Sequence, residues 1–365
     1  MRIAILGTRG IPNYYGGFEQ FAEYLAKGLV GCGHEITVYN SHLHPYQETE
    51  WNGVKLVHCN DPEDKWGTVG QFVYDLNCIL HTRTQPYDII LQLGYTSSSI
   101  WGWLLPRKKC LITTNMDGLE WKRTKYTKPV RAFLKIAEYL GIIFSNHLIA
   151  DSLGIQEYLL NKYQIASTYI PYGAYPFETP DPSVLTTYNV GQYAYNMLIA
   201  RLEPENNVDT ILAGVSQTQT NLPFLVIGKH TTKYGEFLRA KYAAFNNIRF
   251  IGGIYDITAL NNLRYYSNIY FHGHSVGGTN PSLLEAMGSM AFICAHNNIF
   301  NRSILGPDAY YFENSLQVKV LLGYSKQNHK SFINCNLEKI RNTYSWDKII
   351  EQYEKHFIEI YKRKY

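Results

Sequence analysis

Apolar residues along this chain fall into two patterns: short unbroken runs, and longer stretches in which they recur every third or fourth position. In the first half, the runs at 3–6, 35–39, 54–57, 89–93, 110–114 and 147–150 have the length and apolar content of buried strands. Between the first two, Phe18, Phe21, Leu25 and Leu29 form one stripe of a helix over 18–30, and 155–160 reads as a further helix. Strands alternating with helices predict a parallel sheet wrapped on both faces.

After Ala150 the register changes. Ile170-Pro171-Tyr172-Gly173-Ala174 and the segment 176–182 are rich in proline and poor in helical pattern, which marks an interdomain connection. Alternation then resumes, with strands expected at 196–200, 224–227, 248–251, 269–272 and 291–295 and helices at 208–215 and 257–266. The fold class is therefore α/β, with two doubly wound, Rossmann-like domains over 1–173 and 174–345. The tail 346–365 reads as one long helix with Ile349, Ile350, Tyr353, Phe357, Ile360 and Tyr361 on its apolar stripe and Ser345 placed to cap it.

Ligands of such sheets bind beyond the carboxyl ends of the strands, so the loops there carry the candidate chemistry. The segment HGHSVGGTNPSLLEAMGSM over 272–290 is a glycine-rich loop running into a helix: Gly277, Gly278, Thr279 and Asn280 precede Pro281, which suits a first helical turn. The N–H groups of 279–282 can bind a phosphate or a polyhydroxyl ligand, and Glu285, one turn further in, can accept bonds from ribose hydroxyls. The same loop also reads as a plain strand-to-helix connection. After the first strand comes the long loop 7–17, in which Tyr15, the pair Gly16-Gly17 and the nearby Glu19 can approach a sugar or phosphate from the other side. This loop is not the G-x-G-x-x-G fingerprint, and the second strand ends in Val38-Tyr39-Asn40 with no carboxylate for an adenosine ribose, which argues against a nicotinamide or flavin dinucleotide. Asp117 follows the strand at 110–114; it reads either as a turn aspartate before Gly118 or as an active-site group.

Composition narrows the class. At 45% apolar and 18% charged, with a net charge of +4, the chain is that of a globular protein with no nucleic-acid partner expected. Its 31 tyrosines suit half-wet clefts. Six scattered cysteines without a C-x-x-C pair argue against a zinc site or a disulfide scaffold, and no signal peptide or spanning segment is apparent, so a reducing cytoplasm is the expected home. The charge is uneven. Lys122, Arg123, Lys125, Lys128, Arg131 and Lys135 occur without an acid among them, interleaved with Trp121, Tyr126, Phe133 and Leu134. Such a segment can rest on an anionic membrane surface or be a solvated helix face.

The segments IARLEPENNV, VIGKHTTKYG, RFIGGIYD, NPSLLEAM and YSWDKIIEQY resemble the retaining family 4 glycosyltransferases of the GT-B fold. The opening MRIAILGTRGIPNYYGGFEQFAEYL, with NMDGLEWKR, resembles more closely the bacterial rhamnosyltransferase subgroup that builds capsular and exopolysaccharides. The resemblance covers nearly the whole chain. It implies two domains facing a cleft, the acceptor side in the first and the donor side in the second, with the closing helix returning to the N-terminal domain.

By the same resemblance, Arg201 matches the arginine that binds the donor diphosphate, and Glu285 matches the second glutamate of the E-x7-E pattern, which holds the ribose. The first glutamate is replaced by Gly277, and the lysine expected five residues after the arginine is Asn206, for which Lys229 is a candidate substitute. The implied chemistry is metal-independent and needs no cofactor: Arg201 and the loop N–H groups stabilise the departing diphosphate while the sugar is transferred with retention. Asp117 is placed to orient an acceptor hydroxyl or to stabilise the sugar cation. The expected donor is dTDP-L-rhamnose and the acceptor a saccharide, lipid-linked by expectation, in capsule, exopolysaccharide or O-antigen synthesis. Alternatives are transfer from a UDP- or GDP-hexose, a nucleotide-sugar epimerase, and a nonenzymatic nucleotide-binding protein.

Overall fold

The computed structural model describes residues 1–123, 126–219 and 222–364. Lys125 and Tyr365 therefore lie outside the described residues. The chain divides into two compact units: one takes in Met1–Lys122, Tyr126–Tyr172 and the helix Trp346–Lys364, the other Arg123 and Gly173–Ser345.

The first unit is built on strands β1 (Arg2–Leu6), β2 (Glu35–Ser41), β3 (Glu50–Trp51), β4 (Val54–Cys59), β5 (Ile89–Leu93), β6 (Leu111–Met116), β7 (His147–Ala150) and β8 (Thr168–Tyr169), in the sheet order β3-β4-β2-β1-β5-β6-β7-β8. All pairs are parallel except the short β3–β4 hairpin. Strands β1 and β5 are buried almost throughout because both faces are covered, which is why they read as unbroken apolar runs. From β1 the chain moves outward one way through β2 and β4, then returns to β5 and moves the other way. The crevice at this reversal lies between the carboxyl ends of β1 and β5.

Helix Gly17–Gly31 covers this sheet and receives the C-terminal helix. Gly28 allows that approach, since a Cβ there would lie 2.2 Å from Cδ1 of Ile350. Tyr24 stacks on Trp346 at 4.7 Å, and His356 bonds Thr113 of β6 at 3.1 Å. Phe357 and Tyr353 of the same helix are fully buried, and burial of such side chains contributes about 1.5–3 kcal/mol each.

The second unit has strands β9 (Asn196–Ile199), β10 (Phe224–Ile227), β11 (Ile248–Gly252), β12 (Ile269–His272), β13 (Ile293–His296) and β14 (Tyr310–Phe312), all parallel, in the order β11-β10-β9-β12-β13-β14. Its reversal lies between β9 and β12.

Several expected elements differ in extent. The strand expected at 110–114 runs over Leu111–Met116, so Asp117 follows it directly, and the strand expected at 291–295 begins at Ile293. The helix expected at 155–160 spans Leu153–Tyr163, because Ser152 Oγ accepts from Ile155 N and sets an earlier start. Helices Thr68–Thr82 and Lys233–Lys241 were not anticipated, and the helix considered for the basic segment runs over Lys128–Phe144. Among the described residues, no helix is long and apolar enough to cross a membrane.

Candidate functional site

In the second unit the crevice is built from three neighbouring strand ends. Arg201 follows β9 and is exposed; Gly228 and Lys229 follow β10; the glycine-rich loop follows β12. Pairing of Leu198 with Phe271 sets Arg201 and the start of that loop side by side. Gly273 is required there, since a Cβ would stand 2.1 Å from the Asn206 carbonyl oxygen. The contact is reinforced on both sides: Asn207 Nδ2 donates to the Gly273 carbonyl at 2.8 Å, and Ser275 Oγ donates to the Glu205 carbonyl at 2.7 Å.

Asn206 does not reproduce the charge of a lysine. It is buried, and its Nδ2 donates to the Arg201 carbonyl at 2.7 Å, so it fixes the backbone from which the arginine projects. Lys229 is exposed beside Gly228, whose Cβ would meet the Ala200 carbonyl oxygen at 2.0 Å; the residue thus follows the strand next to the one that Arg201 follows.

The helix after the loop spans Pro281–Gly288 and is capped by Asn280, whose Oδ1 accepts from Ser282 N at 2.9 Å. This corrects one expectation. Pro281 has no N–H and that of Ser282 is taken by the cap, so the N–H groups left for an anion are those upstream of Pro281, at Gly277 and Gly278. The Ser282 hydroxyl is also engaged, by Arg264 Nη2 at 3.2 Å and the Tyr270 hydroxyl at 3.0 Å. Gly277 adopts φ +129, a conformation side chains avoid, and faces open space with nothing within 4 Å of a built Cβ.

Glu285 is held by a residue that sequence reasoning missed. Arg264, 1% exposed, donates to Glu285 Oε2 at 2.6 Å and to Asn261 Oδ1 at 2.9 Å. The sequence signal was an arginine beside Leu260 and Leu263 on the buried stripe of helix Ile257–Tyr266, where a charged side chain must find partners. Two further residues went unassigned. His272 is fully buried at the end of β12, with neither ring nitrogen bonded among the described residues, and it stacks on His274 at 4.4 Å. Burial keeps both imidazoles neutral, with a smaller contribution from Arg201 that helps lower His274 to about 3.

In the first unit, the loop 7–17 leaves β1 at the sheet reversal. Gly7, at φ +90, is required by the Leu93 carbonyl oxygen, 2.2 Å from a built Cβ. Asn40, next to the last residue of β2, brackets Ile11 with bonds to its N–H and carbonyl at 3.1 and 2.8 Å. Glu19 is buried and accepts from Arg9 N at 3.1 Å, so it shapes this loop rather than presenting a free carboxylate to a sugar. The Gly16 N–H is likewise committed, to Asn13 Oδ1 at 3.1 Å, while Gly17 opens the following helix. Tyr15 is 45% exposed, and Arg9, paired with Glu63 at 2.8 Å, lies 5.8 Å from its ring. Asp117 is half-buried before Gly118, whose carbonyl accepts from Tyr95. Asp117 and Glu19 both act on the buried Tyr172, whose hydroxyl is raised well above its ordinary range by burial first, then by Asp117 and Asp151, and least by Glu19.

The basic aromatic segment folds differently from its expected outward display. Trp121 Nε1 donates to the buried Glu138 at 3.0 Å, Phe133 packs on Phe72 and Leu134 is buried. The outward side of helix Lys128–Phe144 instead carries Ile136, Tyr139 and Ile143 beside Lys128 and Lys135.

A domain of unknown function, DUF1972, matches residues 101–175. An uncharacterized 42.6 kDa protein from the cps region of Klebsiella pneumoniae is 35% identical over 68 residues, which is 18% of this chain and 18% of that protein. Solved structures match over the whole length. Sucrose-phosphate synthase of Thermosynechococcus elongatus aligns with a TM-score of 0.80 and 14% identity over 99% of both chains. HepE of Anabaena in complex with UDP aligns at 0.75 and 13%, over 98% of this chain and 100% of that one. Trehalose 6-phosphate synthase of Burkholderia multivorans aligns at 0.71 and 10%, over 100% and 99%. The fold of this chain is that of these enzymes, the GT-B fold.

Proposed function

We propose that the protein is a retaining, metal-independent glycosyltransferase that takes a nucleotide-sugar donor in its second unit and a saccharide acceptor on its first. The observation that carries this reading is the convergence, at the β9–β12 reversal, of an exposed arginine, a glycine-rich loop and a carboxylate one turn into the following helix. Arg201 meets the diphosphate, the N–H groups upstream of Pro281 share its charge, and Glu285, fixed by Arg264, accepts from the ribose hydroxyls. Each such preorganised donor is worth about 3 kcal/mol when charge develops on the leaving phosphate. UDP bound to HepE, and the cps-region relative, support a nucleotide donor and a role in polysaccharide synthesis.

For the donor we propose dTDP-L-rhamnose. Gly277 leaves the loop without a carboxylate for the sugar hydroxyls, and a 6-deoxy sugar has one fewer to hold. Lys229 adds charge near the diphosphate. On the acceptor side, Asp117 and Tyr15 are the groups that meet the incoming sugar, and Glu19 positions the loop of Tyr15 by accepting from the Arg9 N–H. The outward face of helix Lys128–Phe144, apolar and edged by lysines with its one acid buried, suits an anionic membrane carrying a lipid-linked acceptor.

Calorimetry with UDP and dTDP tests the site. Arg201→Ala is expected to weaken binding at least tenfold while Lys65→Ala, far along the chain in the first unit, does not; equal binding by wild type and Arg201→Ala would remove the donor assignment.

A further inference from the structure

A second concavity lies in the second unit, at the amino ends of its strands. It encloses about 570 Å³ and is lined by Tyr193, Tyr265, Met290, Lys326, Asn328 and Lys330, among others. Tyr193 precedes β9, Tyr265 precedes β12 and Met290 precedes β13, whereas Arg201 and the glycine-rich loop follow the same strands. A four-residue strand spans about 13 Å, so the two places are on opposite edges of the sheet. The volume is that of small-molecule sites, which run to about 300–1,000 Å³.

Two independent features single this cavity out. The first is backbone strain. Among the described residues, the non-glycine positions with positive φ are Asn52, Gln164, Asn189, Tyr193, Asn207 and Met290. Four are amide side chains, which reach this region most easily in Asn; the other two, Tyr193 at φ +58 and Met290 at φ +53, both line the cavity. Strain of this kind concentrates where ligands are held.

The second feature is a buried cation without a counterion. Lys326 is 8% exposed, its Nζ donates to the Tyr265 carbonyl, and it lies 5.5 and 5.1 Å from the Tyr193 and Tyr265 ring centroids. Among the described residues no carboxylate pairs with it. Burial alone brings its ammonium down to about 7. The titratable groups facing the cavity are Tyr193, Tyr265, Lys326 and Lys330, and none is acidic at neutral pH. A buried ammonium with no counterion, lining a half-open pocket, favours an anionic ligand, which supplies the missing charge.

We propose that this cavity binds a small hydroxylated carboxylate, a sugar acid either free or at the end of a glycan, with Lys326 holding the carboxylate, the tyrosine rings facing the sugar ring and Asn328 meeting its hydroxyls. Phosphate fits less well, because the lining has no arginine and no glycine-rich N–H cradle. A peptide or membrane surface does not fit a concavity of this size.

The test is calorimetry or ligand-observed NMR on the full chain with D-glucuronate, D-glucose and inorganic phosphate, at pH 6.5 and 8.5. Glucuronate is expected to bind at least tenfold more tightly than glucose or phosphate. Its affinity is expected to fall on the order of tenfold between the two pH values, because binding requires a protonated Lys326 that the empty pocket deprotonates. Lys326→Met is expected to abolish binding and Lys330→Met to weaken it a few-fold. An oligosaccharide ending in glucuronate separates the glycan-terminal ligand from the free acid. Should Lys326→Met fail to fold, Asn328→Ala and the wild-type pH dependence decide. Equal affinity for glucose, stronger binding of phosphate, pH-independent affinity or undiminished binding by Lys326→Met would each overturn the proposal. All of these readouts are of binding, so they stand apart from the transferase reading.

Discussion

Arg264→Met removes a buried guanidinium while keeping most of the side chain's length. The wild-type group is 1% exposed and bonds Asn261 Oδ1 at 2.9 Å, Ser282 Oγ at 3.2 Å and Glu285 Oε2 at 2.6 Å. Two bonds to neutral partners at about 1 kcal/mol each and one to a carboxylate at about 2 kcal/mol give roughly 4 kcal/mol. Part is regained, because the Glu285 side chain is 18% exposed and can turn to water, which leaves about 3 kcal/mol. In a chain of two such units this lowers the melting temperature by about 6–12 °C. Glu285→Gln keeps an acceptor for Arg264 and is expected to cost only about 1 kcal/mol in stability. Both variants are expected to lose nucleotide affinity, since Arg264 fixes the carboxylate proposed to meet the ribose. The assay is urea unfolding of Arg264→Met, of Glu285→Leu and of the Arg264→Met/Glu285→Leu double variant, with calorimetric nucleotide titration of Arg264→Met and Glu285→Gln alongside. A coupling energy of at least about 1.5 kcal/mol is expected. A coupling below about 0.5 kcal/mol, with Arg264→Met melting as the wild type does, would refute the pairing argument.

Gly273→Ala places a methyl group 2.1 Å from the Asn206 carbonyl oxygen, so the loops bearing Arg201 and Gly277 must separate, and nucleotide binding is expected to fall at least tenfold with the protein still folded; unchanged titration would show the contact to be dispensable. Asp75 is buried and bonded by Ser97 Oγ at 2.5 Å, and burial raises its carboxyl to about 7. A carboxyl raised above its unfolded value near 4 contributes stability that is complete below that value and is lost as pH rises through 7, at up to about 1.4 kcal/mol per pH unit. Asp75→Asn should therefore flatten the stability profile between pH 4 and 7 and exceed the wild type at pH 8; parallel profiles would contradict the assignment. Ile136→Glu/Tyr139→Glu is expected to abolish salt-sensitive pelleting with anionic vesicles, and retention of pelleting would exclude the outward face of helix Lys128–Phe144 as the docking surface.

The strands were legible because parallel strands covered on both faces read as apolar runs, and the loops worth inspecting followed from their order. Helix Lys233–Lys241 escaped notice because KYGEFLRAK is polar and contains a glycine, and its start depends on Thr232 accepting from Gly235 N. At the candidate site, residue types were legible and their commitments were not. Ser282 read as a donor to a ligand until its hydroxyl and N–H were found engaged within the fold. Asn206 was visible as a missing lysine, but its bond to the Arg201 carbonyl depends on a turn that spacing does not encode. Arg264 required knowledge of which helix face is buried against which neighbour. The same holds for Trp121, whose indole turns inward to a glutamate seventeen residues along the chain.

The most direct measurement of the central claim is product formation from a panel of nucleotide sugars, including dTDP-L-rhamnose and UDP-glucose, with a lipid-diphosphate glucose acceptor and excess EDTA. Mass spectrometry reads the sugar transferred and NMR its anomeric configuration. Rhamnosyl transfer with retained configuration, abolished by Arg201→Ala, is the predicted result. An inverted product would overturn the mechanism, turnover of UDP-glucose alone would overturn the donor, and no transfer from any donor, with nucleotide binding indifferent to Arg201→Ala, would contradict the glycosyltransferase reading itself.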